Sequence, residues 1–126
     1  MPTGSYQDLV VWQKAMVLAK DVYKITKCYP KGEIYGLTSQ IRRAAVSIPC
    51  NIAEGWGRKS KGDFIRFLAV ARGSAAEPET VILLSSEIGI LSKDQSEPFL
   101  QNLTEIRKML NALIKSLQMK LMAPES

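Results

Sequence analysis

The sequence predicts an all-α protein, an antiparallel up-down-up-down four-helix bundle, and three observations carry that reading. Apolar residues recur at three- and four-residue steps in four long segments, which is the helical period. Short stretches rich in Gly, Pro and Ser separate these segments, and short connections between long amphipathic helices favour antiparallel neighbours. No stretch reads as a strand pair or an internal repeat. A length of 126 residues suits one domain over residues 1–126 with one core, its short flexible ends at about 1–6 and 123–126.

In the first helix Leu9, Trp12, Met16, Ala19 and Tyr23 form the expected core stripe, and the segment fades at Lys27-Cys28-Tyr29-Pro30-Lys31-Gly32. A second apolar stripe, Val11, Ala15, Leu18, Val22 and Ile25, exceeds what one buried face requires and predicts self-association. The second helix shows Leu37, Ile41, Ala44, Ile48 and Ile52 and is expected to stop at Gly55 and Gly57, residues suited to the left-handed conformation past a helix end. Ser60 and Asp63 resemble a capping box that opens a third helix.

That third helix is expected to run from about Gly62 to Leu91, about 45 Å. Its core stripe reads Phe67, Val70, Ser74, Val81, Leu84, Ile88 and Leu91, with Phe64, Leu68, Ala71 and Ala75 widening the face. Ser92 to Ser96 is a polar turn in which Asp94 or Ser96 caps the fourth helix, whose stripe is Leu100, Leu103, Ile106, Leu110, Leu113 and Leu117. Pro49 and Pro78 each lack an N–H and crowd the carbonyl four residues back, at a cost of about 3 kcal/mol without compensation. Because the apolar period continues in phase across both, they predict kinks rather than breaks.

Composition narrows the function classes. With 46% hydrophobic and 23% charged residues, the chain has enough apolar content to fold alone. It contains no histidine, which removes the commonest general base and metal ligand, and with them the Glu-x-x-His pairs of a ferritin-like oxidase. Cys28 and Cys50 lack metal or redox spacing and read as free thiols. Gly55-Trp56-Gly57-Arg58-Lys59-Ser60 has neither the spacing nor the preceding strand of a phosphate loop. No catalytic residue, metal site or cofactor is predicted. The apolar runs are too short for a bilayer and no leader pattern opens the chain, so a cytoplasmic protein without membrane contact is expected.

The formal net charge is +5, and the excess is uneven. Between Arg42 and Arg72 lie Arg42, Arg43, Arg58, Lys59, Lys61, Arg66 and Arg72 against only Glu54 and Asp63, which points to an anionic partner such as RNA. Arg58, Lys59 and Lys61 stand where the third helix begins, and helix N-termini attract phosphate. Exposed, Trp56 would stack on a base there. A polar stripe on the second helix, Gln40, Arg43, Ser47, Asn51 and Glu54, occupies one face: a solvated face, a network that steadies Pro49, or a subunit seam.

The run from Gly36-Leu37-Thr38-Ser39-Gln40 through Ser47-Ile48-Pro49-Cys50-Asn51-Ile52-Ala53-Glu54-Gly55 resembles the hallmark of a bacterial four-helix-bundle family. That family is named for proteins encoded in intervening sequences of large-subunit ribosomal RNA genes. Asp8-Leu9-Val10-Val11-Trp12-Gln13-Lys14-Ala15, Asp63-Phe64-Ile65-Arg66-Phe67-Leu68 and Ala71-Arg72-Gly73-Ser74 resemble its other landmarks. The resemblance implies a bundle that assembles into a homo-oligomeric ring, a pentamer, without catalytic activity. It also implies a distant relation to the accessory variability determinant of diversity-generating retroelements. One departure stands out: Ala75-Ala76-Glu77-Pro78-Glu79 replaces a Leu-Glu type continuation. The functional expectation is a non-enzymatic oligomeric RNA-binding or adaptor protein; the alternative is a purely protein-binding or structural oligomer with no nucleic-acid role.

Overall fold

In the computed structural model, which describes residues 4–122, the chain opens with a capped 3-10 turn at Tyr6–Asp8. Ser5 Oγ accepts from the Gln7 N–H at 3.0 Å, the Ser5 N–H donates to Asp8 Oδ2 at 3.1 Å, and the Tyr6 ring meets Trp12 edge-on at 5.3 Å. Ser5 and Tyr6, which the sequence placed in a flexible end, are thus tied to the first helix. Of the two expected flexible ends, residues 1–3 and 123–126 lie outside the described residues.

Helices follow at α1 (Val10–Thr26), α2 (Leu37–Trp56), α3 (Lys61–Ser74), α4 (Ala76–Glu87) and α5 (Lys93–Met122), with a 3-10 turn at Lys31–Glu33. Among the described residues there is no strand. The helices form four rods, α3 and α4 being two parts of the third. α1 packs on α2 and α5, α2 also packs on α3 and α4, and α3 and α4 pack on α5, so the rods enclose one core. Leu18, Ile41, Ile48, Ile52, Leu68, Ile82, Leu103, Ile106, Leu110 and Leu117 are its fully buried large side chains.

The expected stripes of α2 and α5 face that core, whereas those of α1 and of the third rod do so only in part: Ala19, Val81 and Leu91 are buried as expected, as are Phe64, Leu68, Ala71 and Ala75, expected to widen the face. Val11, Ala15, Leu18, Ala19, Val22 and Thr26 are the buried side of α1, while Trp12 and Met16 are half-buried and Tyr23 is exposed. In the third rod Phe64, Leu68, Ala71, Ala75, Pro78, Val81, Ile82 and Ser85 are buried, whereas Val70, Leu84 and Ile88 are exposed. The physical reason is distance: helices in a bundle approach within 8–10 Å, so Ala15, Ala19, Ala44, Ala45, Ala71 and Ala75 go inside and some larger side chains are left out.

The third rod is divided at one residue, Ala75, which keeps right-handed helical angles (φ −65, ψ −22), so α3 and α4 join at a kink. Pro78 offers no N–H to the Ser74 carbonyl, and α3 ends at Ser74 with Ala75 as the joint. Pro78 then falls in the first turn of α4, where intrahelical amide bonds are absent anyway, and its ring is buried. α4 stops at Glu87, short of Leu91, because Gly89 adopts φ +84 and closes a Schellman motif: Ile90 N–H to Ser85 O at 2.9 Å and Gly89 N–H to Ser86 O at 3.2 Å.

α2, by contrast, runs unbroken through buried Pro49. It also passes through Gly55 and ends at Gly57 with φ −76, so neither glycine serves as a left-handed cap. Ser92, rather than Asp94 or Ser96, caps α5: its Oγ accepts from the Gln95 N–H at 3.1 Å and its own N–H donates to Gln95 Oε1 at 2.8 Å.

Candidate nucleic-acid interface

The tight turn from α2 into α3 depends on Gly55. A Cβ there would stand 2.6 Å from the Phe67 Cβ and 3.0 Å from Phe64 Cδ1, so only glycine lets α3 cross this closely. Ser60 caps α3, its Oγ accepting from the Asp63 N–H at 3.1 Å. That bond holds Arg58, Lys59 and Lys61 on an exposed end of the bundle beside a helix N-terminus.

Phe67 organises the cations. The Arg58 guanidinium lies 4.8 Å from its ring centroid and that of Arg66 lies 5.6 Å away. Arg58 also pairs with Glu54 at 2.9 Å, and Arg66 with Asp63 at 3.3 Å. Both pairs are exposed and therefore worth about 1 kcal/mol or less, which leaves the guanidinia free to exchange a carboxylate for a phosphate. Lys59 and Lys61 make no ion pair among the described residues. Trp56 is half-buried and meets Phe64 edge-on at 5.9 Å, so it closes the turn rather than standing free to stack on a base.

The other predicted cations lie elsewhere. Arg42 Nε donates to Thr26 Oγ1 at 2.8 Å and its guanidinium covers Tyr23 at 4.7 Å, which fixes it between α1 and α2. It stands fourteen residues, about 21 Å, before the end of α2, with Arg58 beyond that end. Arg43 is exposed near Arg42, and Arg72 Nη1 donates to Asn111 Oδ1 on α5 at 2.8 Å. The fold thus gathers Arg58, Lys59, Lys61 and Arg66 and disperses Arg42, Arg43 and Arg72.

In the polar stripe of α2, Ser47 and Asn51 bond within their own helix, and Glu54 pairs with Arg58 just past its end. Ser47 Oγ donates to the Ala44 carbonyl at 2.9 Å, and Asn51 Nδ2 donates to the Ser47 carbonyl at 2.7 Å, supporting the turns on either side of Pro49. Gln40, Arg43 and Glu54 are exposed. No bond from these five side chains crosses to another helix among the described residues.

Sequence reasoning passed over an apolar groove of about 560 Å³ between α1 and α2. Trp12, Met16 and Tyr23 form one wall and Val46, Pro49 and Cys50 the other, with Lys20 and Lys24 at the rim. Its signal was present as the doubled apolar stripe of α1, assigned to the wrong side. Titration shifts fall on structural pairs instead. Burial pushes the Tyr29 phenol up against the smaller opposing effect of its bond to Ser85, and the bidentate Arg107 bond holds the Glu79 carboxyl below its ordinary range. Among the described residues no three His, Cys, Asp or Glu side chains gather, and no helix is long and apolar enough to cross a membrane.

Residues 7–112 match the family described as 23S rRNA-intervening sequence protein. A similar fold occurs in the crystal structure of a protein of unknown function from the S23 ribosomal protein family of Bacteroides thetaiotaomicron. The TM-score is 0.78 at 30% sequence identity, over 84% of this chain and 99% of that one. The sequence has no match among curated proteins.

Proposed function

Because the chain belongs to the 23S rRNA-intervening sequence protein family, matched over residues 7–112, we propose that it is a non-enzymatic, oligomeric RNA-binding or adaptor protein of the bacterial cytoplasm. The observation that carries this is the cation cluster at the start of α3. Arg58, Lys59, Lys61 and Arg66 face solvent around one turn, with Glu54 and Asp63 the opposing carboxylates. A helix N-terminus and two weakly held guanidinia suit the sugar-phosphate backbone, which makes binding sequence-tolerant. Assembly multiplies one weak phosphate site into several, and a pentameric ring is the form this takes.

The same reading takes the bundle as up-down-up-down. Contacts along α5 support it: Arg72 meets Asn111 while Glu79, later in the chain, meets the earlier Arg107. The lack of catalysis is supported by a chain without histidine, whose shifted carboxyl and phenol groups are held in structural bonds. The α1–α2 groove favours the second reading, a purely protein-binding oligomer. Fluorescence anisotropy of a labelled single-stranded RNA across a potassium chloride series tests the proposal. Binding that weakens steeply with salt is expected, and no binding even at low salt moves the assignment to the protein-binding reading.

A further inference from the structure

The groove between α1 and α2 has a counterpart elsewhere on the same chain. From Trp12 to Tyr23 it extends eleven residues along α1, about 17 Å. Its walls are apolar, its charged rim is Lys20 and Lys24, and no carboxylate lines it. α4 has the complementary character. Leu83, Leu84 and Ile88 are 47%, 42% and 55% exposed. At 100° per residue they share an outward arc with exposed Glu77, Thr80 and Glu87, opposite buried Pro78, Ile82 and Ser85, with Ile88, the residue that caps α4, at the edge of the arc beside buried Val81. No Lys or Arg occurs between Gly73 and Ser92. The twelve residues of α4 measure about 18 Å, the length of the groove.

These two faces are different surfaces. The groove opens between α1 and α2, whereas α4 packs on α2 and α5 and turns its outer arc away from the core. A contact between them within one molecule is therefore impossible. Between molecules it is heterologous, each copy offering one face and receiving the other, the kind of contact that closes into a ring when the rotation permits. Joining them would cover on both partners apolar side chains that a monomer leaves in water, and would bring Lys20 and Lys24 to an acidic helix.

We propose that the outer face of α4, carrying Glu77, Leu83, Leu84, Glu87 and Ile88, docks in the α1–α2 groove of a second copy of this chain. This rests on the reading of the chain as an oligomer and names the two surfaces that build it.

A charge exchange followed by sedimentation velocity at low salt is the test. Lys20→Glu with Lys24→Glu leaves an acidic groove facing an acidic helix, and Glu77→Lys with Glu87→Lys leaves a basic helix facing a basic groove. Each pair is expected to weaken assembly by about tenfold or more. The chain carrying all four substitutions restores opposite signs and is expected to recover the wild-type mass, a recovery that misfolding cannot produce. As a second measurement, Thr80→Cys in a Cys28→Ser background puts a thiol on the α4 face while Cys50 stays in the groove, and mild oxidation is expected to link subunits covalently, a link lost when either Cys50→Ser is added or Thr80 is kept.

Wild-type mass retained by both pair variants overturns the docking and leaves the oligomer reading standing; the groove then takes another occupant, such as an amphipathic small molecule. Failure of the fourfold variant to recover, with its cooperative helical melt intact, also overturns it, as does an oligomer that yields no crosslink. A wild-type chain that sediments as one subunit at micromolar concentration removes the docking and the oligomer reading together.

Discussion

The Tyr29 phenol donates a hydrogen bond to Ser85 Oγ at 2.8 Å, joining the loop after α1 to the end of α4 across 56 positions of sequence. Both groups are buried. The Ser85 carbonyl accepts from the Ile90 and Leu91 N–H groups at 2.9 and 3.1 Å, so this one residue gathers the α1–α2 loop and the α4–α5 turn.

Tyr29→Phe leaves the Ser85 hydroxyl without its buried donor and is expected to lower stability by about 1–2 kcal/mol, read from urea unfolding at pH 7. Its effect also carries a pH signature. Burial raises the Tyr29 pKa above the ordinary 10.0, so the folded state holds the phenolic proton more tightly than the unfolded state. That contribution is fully present below pH 10 and is lost as pH rises through the folded value. Wild type and variant are therefore expected to converge in alkali, and a constant difference between them above pH 10 would refute the assignment.

Glu79 gives the opposite sign. Two bonds from Arg107, at 2.8 and 2.9 Å, lower its carboxyl pKa from 4.5, so the pair stabilises the fold above that pH and the stabilisation fades as pH falls through the folded value. Glu79→Gln is expected to cost about 1–2 kcal/mol near neutrality and progressively less in acid, measured as melting temperature from pH 7 to 2. The exposed pair of Lys14 with Glu105, tested by Glu105→Gln, is expected to matter less and to vanish with added salt.

Gly55→Ala sets helix propensity against space. Alanine is favoured in a helix by about 1 kcal/mol, but the new methyl would lie 2.6 Å from Phe67 Cβ, an atom fixed to the α3 backbone. Forcing α2 and α3 apart costs about 1–3 kcal/mol. Net destabilisation is expected, visible as a lower urea midpoint, and a higher midpoint would show that α3 yields easily.

Replacing Arg58, Lys59 and Lys61 together with Ala is expected to flatten the salt dependence of RNA binding, each lost phosphate contact reducing the log–log slope by about 0.7. Oligomer mass and melting temperature are expected to stay nearly constant, since Arg58 contributes an exposed ion pair and a contact with the Phe67 ring, and the two lysines no ion pair among the described residues. Lys115 and Lys120, exposed near the end of α5, serve as the control for charge alone. Equal losses from both sets would mean that no defined site exists.

How much of this was legible in the sequence depends on each helix's apolar circumference. On α2 the single stripe Ile41, Ala44, Ile48 and Ile52 leaves one possible inner face, and the fold uses it. α1 carries two stripes, and periodicity cannot rank Trp12 and Met16 against Ala15 and Leu18; close helix approach decides, through side-chain size. Gly89 followed by Ile90 was a readable stop signal, as was Ser92 with Gln95 a readable start. The clustering of Arg58 with Arg66 on Phe67 follows from helical spacing and the turn, but the capture of Arg42 by Tyr23 and Thr26 depends on how α1 and α2 meet.

The joint at Ala75 bears on motion as well as shape. In an uninterrupted helix a hinge must rupture a backbone bond before it can flex, whereas here the Ser74 carbonyl has no amide to lose, because Pro78 never supplied one. Flexing at that point therefore has one backbone bond fewer to break, those left across the joint including Ala75 N–H to Ala71 O and Glu79 N–H to Ala75 O at 3.2 and 3.3 Å. Amide hydrogen exchange would register this as two distinct protection levels along one rod, changing at Ala75.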